Sequence, residues 1–159
     1  MPRLFTTMVR PHLEYGNVIW HPRFRRDSVE IEKVQRRATK LVPEIRHLPY
    51  DKRLRTLKLP SLQHRRIRAD MIQTYKILNE IDRIDSTIFF VLSAASVTRG
   101  HSQNIVNKHA RLGSRQSVFS QRVVNDWNSL PPEVIDSQSI NNFKSRLENF
   151  WRPEQYNLP

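Results

Sequence analysis

Four cationic side chains at helical spacing are the residues of this sequence best suited to a chemical task. They are Lys33, Arg36, Arg37 and Lys40, which stand at positions i, i+3, i+4 and i+7. Because an α-helix has about 3.6 residues per turn, this spacing predicts that all four lie on one helix face. Such a row of cations can contact successive phosphates of a nucleic acid and release their counterions. The alternative interpretation is an ordinary solvated face, since lysine and arginine are good helix formers.

A second basic group precedes this helix. Arg23, Arg25 and Arg26 follow one another closely and are flanked by Trp20 and Phe24. An aromatic side chain beside arginines could stack on an unpaired base. For Trp20 the sequence favours a place in the core, because large aromatic side chains bury much apolar area there.

A third basic group, Arg65, Arg66 and Arg68, could extend the same surface. Because neighbouring residues of a helix point in different directions, we expect one or two of the three to pair with acidic residues. A loop over residues 99–101 could reach a phosphate or could be a tight turn around Gly100. The predicted nucleic-acid-binding residues are Lys33, Arg36, Arg37, Lys40, Arg65, Arg66, Arg25 and Arg26.

The sequence offers no recognisable catalytic group. Polymerases hold paired metal ions between converging carboxylates, and no two aspartates are adjacent here. Asp82 and Asp85 are close in sequence, but we interpret them as solvated charges at a helix end. The histidines lack metal-ligand spacing, and the absence of cysteine excludes thiolate zinc sites and disulfides. We therefore predict no catalytic residue, no metal site and no cofactor for this chain.

The helix that carries the four cations is predicted over residues 27–42. Asp27 or Ser28 can cap its start, and Pro43 ends it. Its inward stripe is predicted to be Ile31, Val34, Ala38 and Leu41.

Similar periodicity predicts further helices. They cover residues 3–20, with an end or kink at Pro11, then 50–58, 61–81, a segment from Phe119 to about Trp127, and 139–151. Their inward residues are predicted to be Leu54, Leu57, Ile67, Met71, Tyr75, Leu78, Phe119, Val123, Trp127, Ile140, Phe143, Leu147 and Trp151. Residues 88–92 could form a short strand or the end of a packed loop, and residues 104–106 could form a brief strand.

Charge is concentrated in the first half of the chain. The 159 residues carry a net charge of +12. Residues 1–80 contain 18 basic and 8 acidic side chains, which gives +10, whereas residues 81–159 contain 9 and 7, which gives +2. This excess indicates a partner rich in phosphate. Because no long apolar run and no signal-peptide pattern occurs, we predict an intracellular protein that has no membrane partner.

Several segments, taken in order, carry a resemblance to a known family. They are residues 10–17 with Trp20, 31–40, 48–50, 59–62, 65–66, 70–76, 98–101, 119–131 and 143–147. Together they resemble the region that follows the polymerase palm in reverse transcriptases of jockey-like non-LTR retrotransposons. The matches cover nearly the whole chain, although each short segment alone would be a weak signal.

The resemblance implies a thumb-like region and the segment after it, which would hold an RNA or DNA template-primer while a separate palm performs the chemistry. The parent family is an RNA-directed DNA polymerase that uses Mg²⁺. No position here matches its catalytic aspartates, so the expectation is a non-catalytic C-terminal fragment that contacts nucleic acid through the basic helix. The alternative expectation is a structural piece that packs on the palm.

The predicted fold is mainly α. A basic, thumb-like bundle is expected over residues 1–82, followed by a smaller helical region over 83–152 with one or two short strands. The second region would include an irregular linker over 86–117, and residues 153–159 would form a frayed tail.

Overall fold

The structure is a computed structural model that describes residues 2–93, 101–108 and 111–151. These residues are mainly helical, as predicted. They divide into two compact units, an N-terminal unit that extends to Ile67 and a C-terminal unit over Arg68–Trp151. The boundary lies within a helix, whereas the sequence suggested a division at residue 82. The predicted frayed tail, 153–159, lies outside the described residues.

The N-terminal unit begins with a helical segment that passes through a proline. Helix α1 covers Pro2–Leu4, a π-helical turn covers Phe5–Val9, and α2 covers Arg10–Glu14. The prediction allowed an end or a kink at Pro11, and the helix continues past it. The wider π turn, in which Arg10 N–H donates to the Phe5 carbonyl, accommodates the missing proline N–H.

Helix α3 covers Arg25–Lys40, so it begins earlier than predicted. Phe24 precedes its first residue and provides no side-chain cap, and neither Asp27 nor Ser28 is the cap. The predicted inward stripe was also partly wrong. Leu41 is 63% exposed, and the deepest residues of the helix are the polar Glu32, Gln35 and Thr39.

Helix α4 covers Tyr50–Leu57 after a 3₁₀ turn at Pro43–Ile45. Leu54 is buried and packs with Tyr50, Leu59 and Leu57, which confirms the predicted inward leucines. Helix α5 covers Leu62–Leu78. The Ser61 hydroxyl accepts a hydrogen bond from the His64 backbone N–H at its start, as expected for an N-cap residue.

The described residues of the C-terminal unit form the end of α5 and four further α-helices. They are α6 over Gly113–Gln116, α7 over Phe119–Asn128, α8 over Pro132–Ile135 and α9 over Ile140–Trp151. The Tyr75 and Phe143 rings are stacked with centroids 4.2 Å apart. Trp127 packs beside Phe143, and both are fully buried. These aromatic side chains were predicted to be core residues, and the structure confirms it.

The predicted short strands are wrong for the residues that the structure describes. Residues 86–88 form a 3₁₀ turn, and the later part of the run makes one antiparallel bridge, between Leu92 and Ile105. The bridge is formed by the Val106 N–H, which donates to the Val91 carbonyl, and by the Ser93 N–H, which donates to the Asn104 carbonyl, each at 2.8 Å. The Ile105 N–H donates to the Asn128 Oδ1 (2.9 Å), and the Ile105 carbonyl accepts from the Asn128 Nδ2 (2.8 Å).

Among the helices of the described ranges, none combines the length and the apolar character needed to cross a bilayer.

Candidate nucleic-acid interface

The four predicted cations all lie exposed along α3. Lys33, Arg36, Arg37 and Lys40 are solvent-exposed in the N-terminal unit. Lys33 pairs with Glu30 on the same helix, whereas Arg36, Arg37 and Lys40 make no ion pair within the described part of the chain. Three of the four cations thus have no acidic partner there, so positive charge is concentrated on this face of α3.

An aromatic ring lies beneath one of these cations. The Arg36 guanidinium carbon is 4.9 Å from the centroid of the Tyr50 ring. The guanidinium of Arg53, which is 2% exposed, lies 5.5 Å from the same centroid, and burial lowers the pKa of Arg53. A guanidinium placed on a ring is attracted by the ring's quadrupole. Tyr50 therefore holds Arg36 in a defined position while leaving it exposed.

A buried carboxylate fixes Tyr50 in turn. The Tyr50 hydroxyl donates a hydrogen bond of 2.5 Å to the Glu32 Oε1. The Leu62 backbone N–H donates one of 2.9 Å to the Glu32 Oε2. Burial raises the pKa of Glu32, against the opposing effects of the hydrogen bonds from Tyr50, Leu62 and Gln63 and of the Arg66 charge. Burial and the nearby carboxylate also raise the pKa of Tyr50.

The buried polar side of α3 explains why its cations face outward. Gln35 is fully buried and donates from its Nε2 to the Pro60 carbonyl (3.0 Å). Glu32 meets the first N–H groups of α5, which are short of intrahelical partners. With Glu32 and Gln35 anchored inside, the helix presents the opposite side to solvent. The sequence pattern did not indicate that Glu32 and Gln35 are buried, since polar residues are normally assigned to the surface.

Arg25 and Arg26 are also exposed, at the start of α3. The Arg26 side chain is 80% exposed and lies 3.5 Å from the Asp27 carboxylate. Trp20, predicted to be a core residue, is 43% exposed, and its indole N–H donates to the Tyr15 carbonyl. Gly16, with a φ of +64°, permits this arrangement, because the Trp20 ring lies within 3.2 Å of the position where a Cβ would stand.

Arg65 and Arg66 do not join this surface in the way predicted. Arg65 is half-buried and forms a two-pronged ion pair with the Glu14 carboxylate. Arg66 is 2% exposed, and its charge acts on the buried Glu32. Both side chains therefore belong to the interior of the N-terminal unit. Arg68 pairs with Glu148 in the C-terminal unit at 2.8 Å, so the expectation that some of these arginines pair with acids is confirmed.

Other candidates of the sequence have structural partners. Asp82 accepts hydrogen bonds from Lys76 and Gln73, which lower the pKa of its carboxyl. The imidazole Nε2 of the buried His101 lies 3.1 Å from the Trp127 carbonyl oxygen, and the neighbouring Arg99 and Gly100 lie outside the described residues. Over the described ranges, no three His, Asp or Glu side chains are grouped as metal ligands would be.

The face of α3 therefore provides four exposed cations, one of them positioned by an aromatic ring that a buried carboxylate fixes. Comparisons with protein families, with curated proteins and with solved structures found no match to this chain.

Proposed function

We propose that this chain binds nucleic acid through the exposed face of α3, without performing catalysis itself. The observation that supports this proposal is the row of Lys33, Arg36, Arg37 and Lys40, of which the last three make no ion pair within the described residues. If this helix face served only solubility, acidic side chains three or four residues from the cations would stabilise the helix. The phosphate backbone is the partner that suits a row of cations in which three of the four lack an acidic partner.

The likeness to the region after the palm of jockey-like reverse transcriptases agrees with this proposal. On that basis the nucleic acid would be an RNA or DNA template-primer, and the basic helices would form a thumb-like element beside a separate palm. The bonds to phosphate would position the strand, because backbone contacts fix register without reading sequence. Mg²⁺ would be required by the parent polymerase and not by this chain.

Salt-dependent binding tests the proposal. Fluorescence anisotropy of a labelled RNA–DNA hybrid should show an affinity that falls steeply with salt, by a log–log slope of about −0.9 for each phosphate contact on a B-form duplex. Replacing all four side chains (K33Q, R36Q, R37Q and K40Q) should weaken binding and reduce the slope by roughly 3 to 4. Circular dichroism should show unchanged helicity, since glutamine is also a good helix former.

A charge-matched control variant separates a specific face from net charge. Arg83, Lys108, Arg111 and Arg115 are exposed in the C-terminal unit. Replacing these four by glutamine removes the same charge and should leave most of the affinity intact. Equal losses in the two variants would mean that only the overall charge matters. The absence of any binding at about 50 mM salt, where a few phosphate contacts should still be detected, would reject the proposal.

A structural docking role is the second candidate function, and exposed apolar side chains favour it. In the N-terminal unit Leu4, Met8 and Ile19 are 60%, 64% and 90% exposed. In the C-terminal unit Ile88 is 74% exposed. Where exposed apolar side chains form a contiguous patch, the patch marks an interaction site or an aggregation risk. On the family resemblance its partner would be the polymerase palm. A chain that binds no nucleic acid but is made monodisperse by a co-expressed palm would support this role.

A further inference from the structure

The aromatic ring of Phe24 lies exposed immediately before α3, in contact with two arginines. The ring is 47% exposed. The guanidinium carbons of Arg23 and Arg26 lie 5.1 Å and 4.9 Å from its centroid. The Phe24 carbonyl accepts from the Asp27 N–H at 3.0 Å, so its backbone belongs to the first turn of the helix. The backbone is thus held, while the side chains of Phe24, Arg23 and Arg26 are exposed.

One of these arginines connects the ring to the basic face. Arg26 precedes Lys33, Arg37 and Lys40 by 7, 11 and 14 residues. These intervals are close to two, three and four helical turns, so Arg26 continues the same face toward the helix start. At 1.5 Å per residue, the row from Arg26 to Lys40 is about 21 Å long. A strand whose phosphates follow this row would end beside Phe24.

We propose that Phe24, Arg23 and Arg26 form a stacking platform for an unpaired nucleobase, so that the nucleic acid bound at this face is single-stranded where it reaches the start of α3. Unpaired bases stack on aromatic rings and on guanidinium planes, whichever base is present. A base within a duplex is already stacked and paired and cannot reach an external ring. This inference rests on the proposed function, because the platform needs the phosphate contacts along α3.

Three ligands of about 12 nucleotides, a length within the usual range of single-strand sites, test the platform. They are a single-stranded oligothymidine, the same strand with abasic residues, and a blunt duplex, each titrated by fluorescence anisotropy against the full chain. Phe24→Ala should weaken binding of the intact strand by roughly 5- to 150-fold. It should change binding of the abasic strand and the duplex by less than about twofold, since neither offers a free base. Phe24→Trp should retain the wild-type affinity.

The outcomes separate the two proposals. Equal weakening of all three ligands by Phe24→Ala would overturn the platform, because the ring would then act only on the helix or on the phosphates. Wild-type affinity that is the same for intact and abasic strands would overturn it as well. In both cases the proposed function would still stand if the wild-type chain binds the duplex and the variant that lacks all four α3 cations does not. If the wild-type chain binds none of the three ligands, the proposed function fails.

Discussion

The carboxylate of Glu32 accepts a hydrogen bond of 2.9 Å from the backbone N–H of Leu62, the first residue of α5. A side chain from the middle of one helix thus accepts a hydrogen bond from the first backbone N–H of another helix. The same carboxylate also accepts a hydrogen bond from the Tyr50 hydroxyl. Because the first N–H groups of a helix lack intrahelical partners and carry partial positive charge, a carboxylate is well suited to this place. The contact determines which side of α3 is buried.

We predict that the contribution of Glu32 to stability decreases as pH rises. Burial raises its folded pKa above the ordinary value of 4.5. A carboxyl with a raised pKa contributes its full stability below the unfolded pKa, and this contribution is lost as pH rises through the folded pKa. The free energy of unfolding of wild type minus that of Glu32→Gln should therefore fall between the unfolded and the folded pKa of Glu32. Its limiting slope there is about 1.4 kcal/mol per pH unit. Urea denaturation at a series of pH values measures it.

The exposed Glu44 provides a control for this pH series. Glu44→Gln should show no comparable trend, because the exposed Glu44 side chain keeps its hydration on folding. A difference between wild type and Glu32→Gln that stays constant across the pH range would contradict the prediction. Glu32→Ala, which leaves the Leu62 N–H and the Tyr50 hydroxyl without their acceptor, should cost at least about 2 kcal/mol at neutral pH.

Tyr50 is predicted to have two separable roles. Tyr50→Phe keeps the ring below Arg36 but removes the hydroxyl that donates to Glu32. It should cost about 1 to 3 kcal/mol of stability and leave nucleic-acid affinity unchanged. Tyr50→Leu also removes the ring, so affinity should fall by roughly 2- to 5-fold, the effect of an exposed cation–π contact. In an Arg36→Gln background the same Tyr50→Leu change should have no further effect on affinity, and an additional loss there would contradict positioning through Arg36.

The C-terminal unit is predicted to depend on a buried ion pair. Arg122 donates from Nε to the Asp70 Oδ2 (2.9 Å) and from Nη2 to the Oδ1 (3.0 Å). The side chains are only 12% and 4% exposed. Asp70→Asn should cost roughly 3 to 5 kcal/mol, because it leaves a buried guanidinium without its counter-charge. Chemical denaturation of Asp70→Leu combined with Arg122→Met should show a smaller loss, and a double variant less stable than Asp70→Asn would argue against this explanation.

We predict that the chain alone extends no primer. The sequence contains no adjacent aspartates of the kind that hold the paired metal ions of polymerases. A primer-extension assay with Mg²⁺ and a template-primer that the chain binds should give no product above background. Incorporation that is retained on repurification of the chain would contradict the non-catalytic proposal.

The positions of several helices could be predicted from the sequence because their signals are local. Helices α4, α7 and α9 each have apolar residues at helical intervals, such as Phe143 and Leu147, which are fully buried. Their backbone hydrogen bonds join residues four apart, and a serine or a proline marks the position where the helix begins. The common helical spacing of the four α3 cations was predictable in the same way.

Other predictions failed at residues whose burial or pairing depends on a partner that is distant in the sequence. Trp20 is exposed although its type favours a core, and Arg66 is buried although its type favours the surface. Residues 88–92 have strand-like composition, but among the described residues they pair only through the single bridge between Leu92 and Ile105. In each case the outcome depends on a neighbour that sequence periodicity cannot supply.

The sequence by itself determined the helical character of the chain, its excess of positive charge and the common face of Lys33, Arg36, Arg37 and Lys40. Only the tertiary structure decided that Glu32 and Gln35 are buried and that Tyr50 lies beneath Arg36. The physical reason is that helical periodicity follows from bonds between near neighbours, whereas a buried carboxylate is stable only beside donors such as the Leu62 N–H, which is 30 residues away.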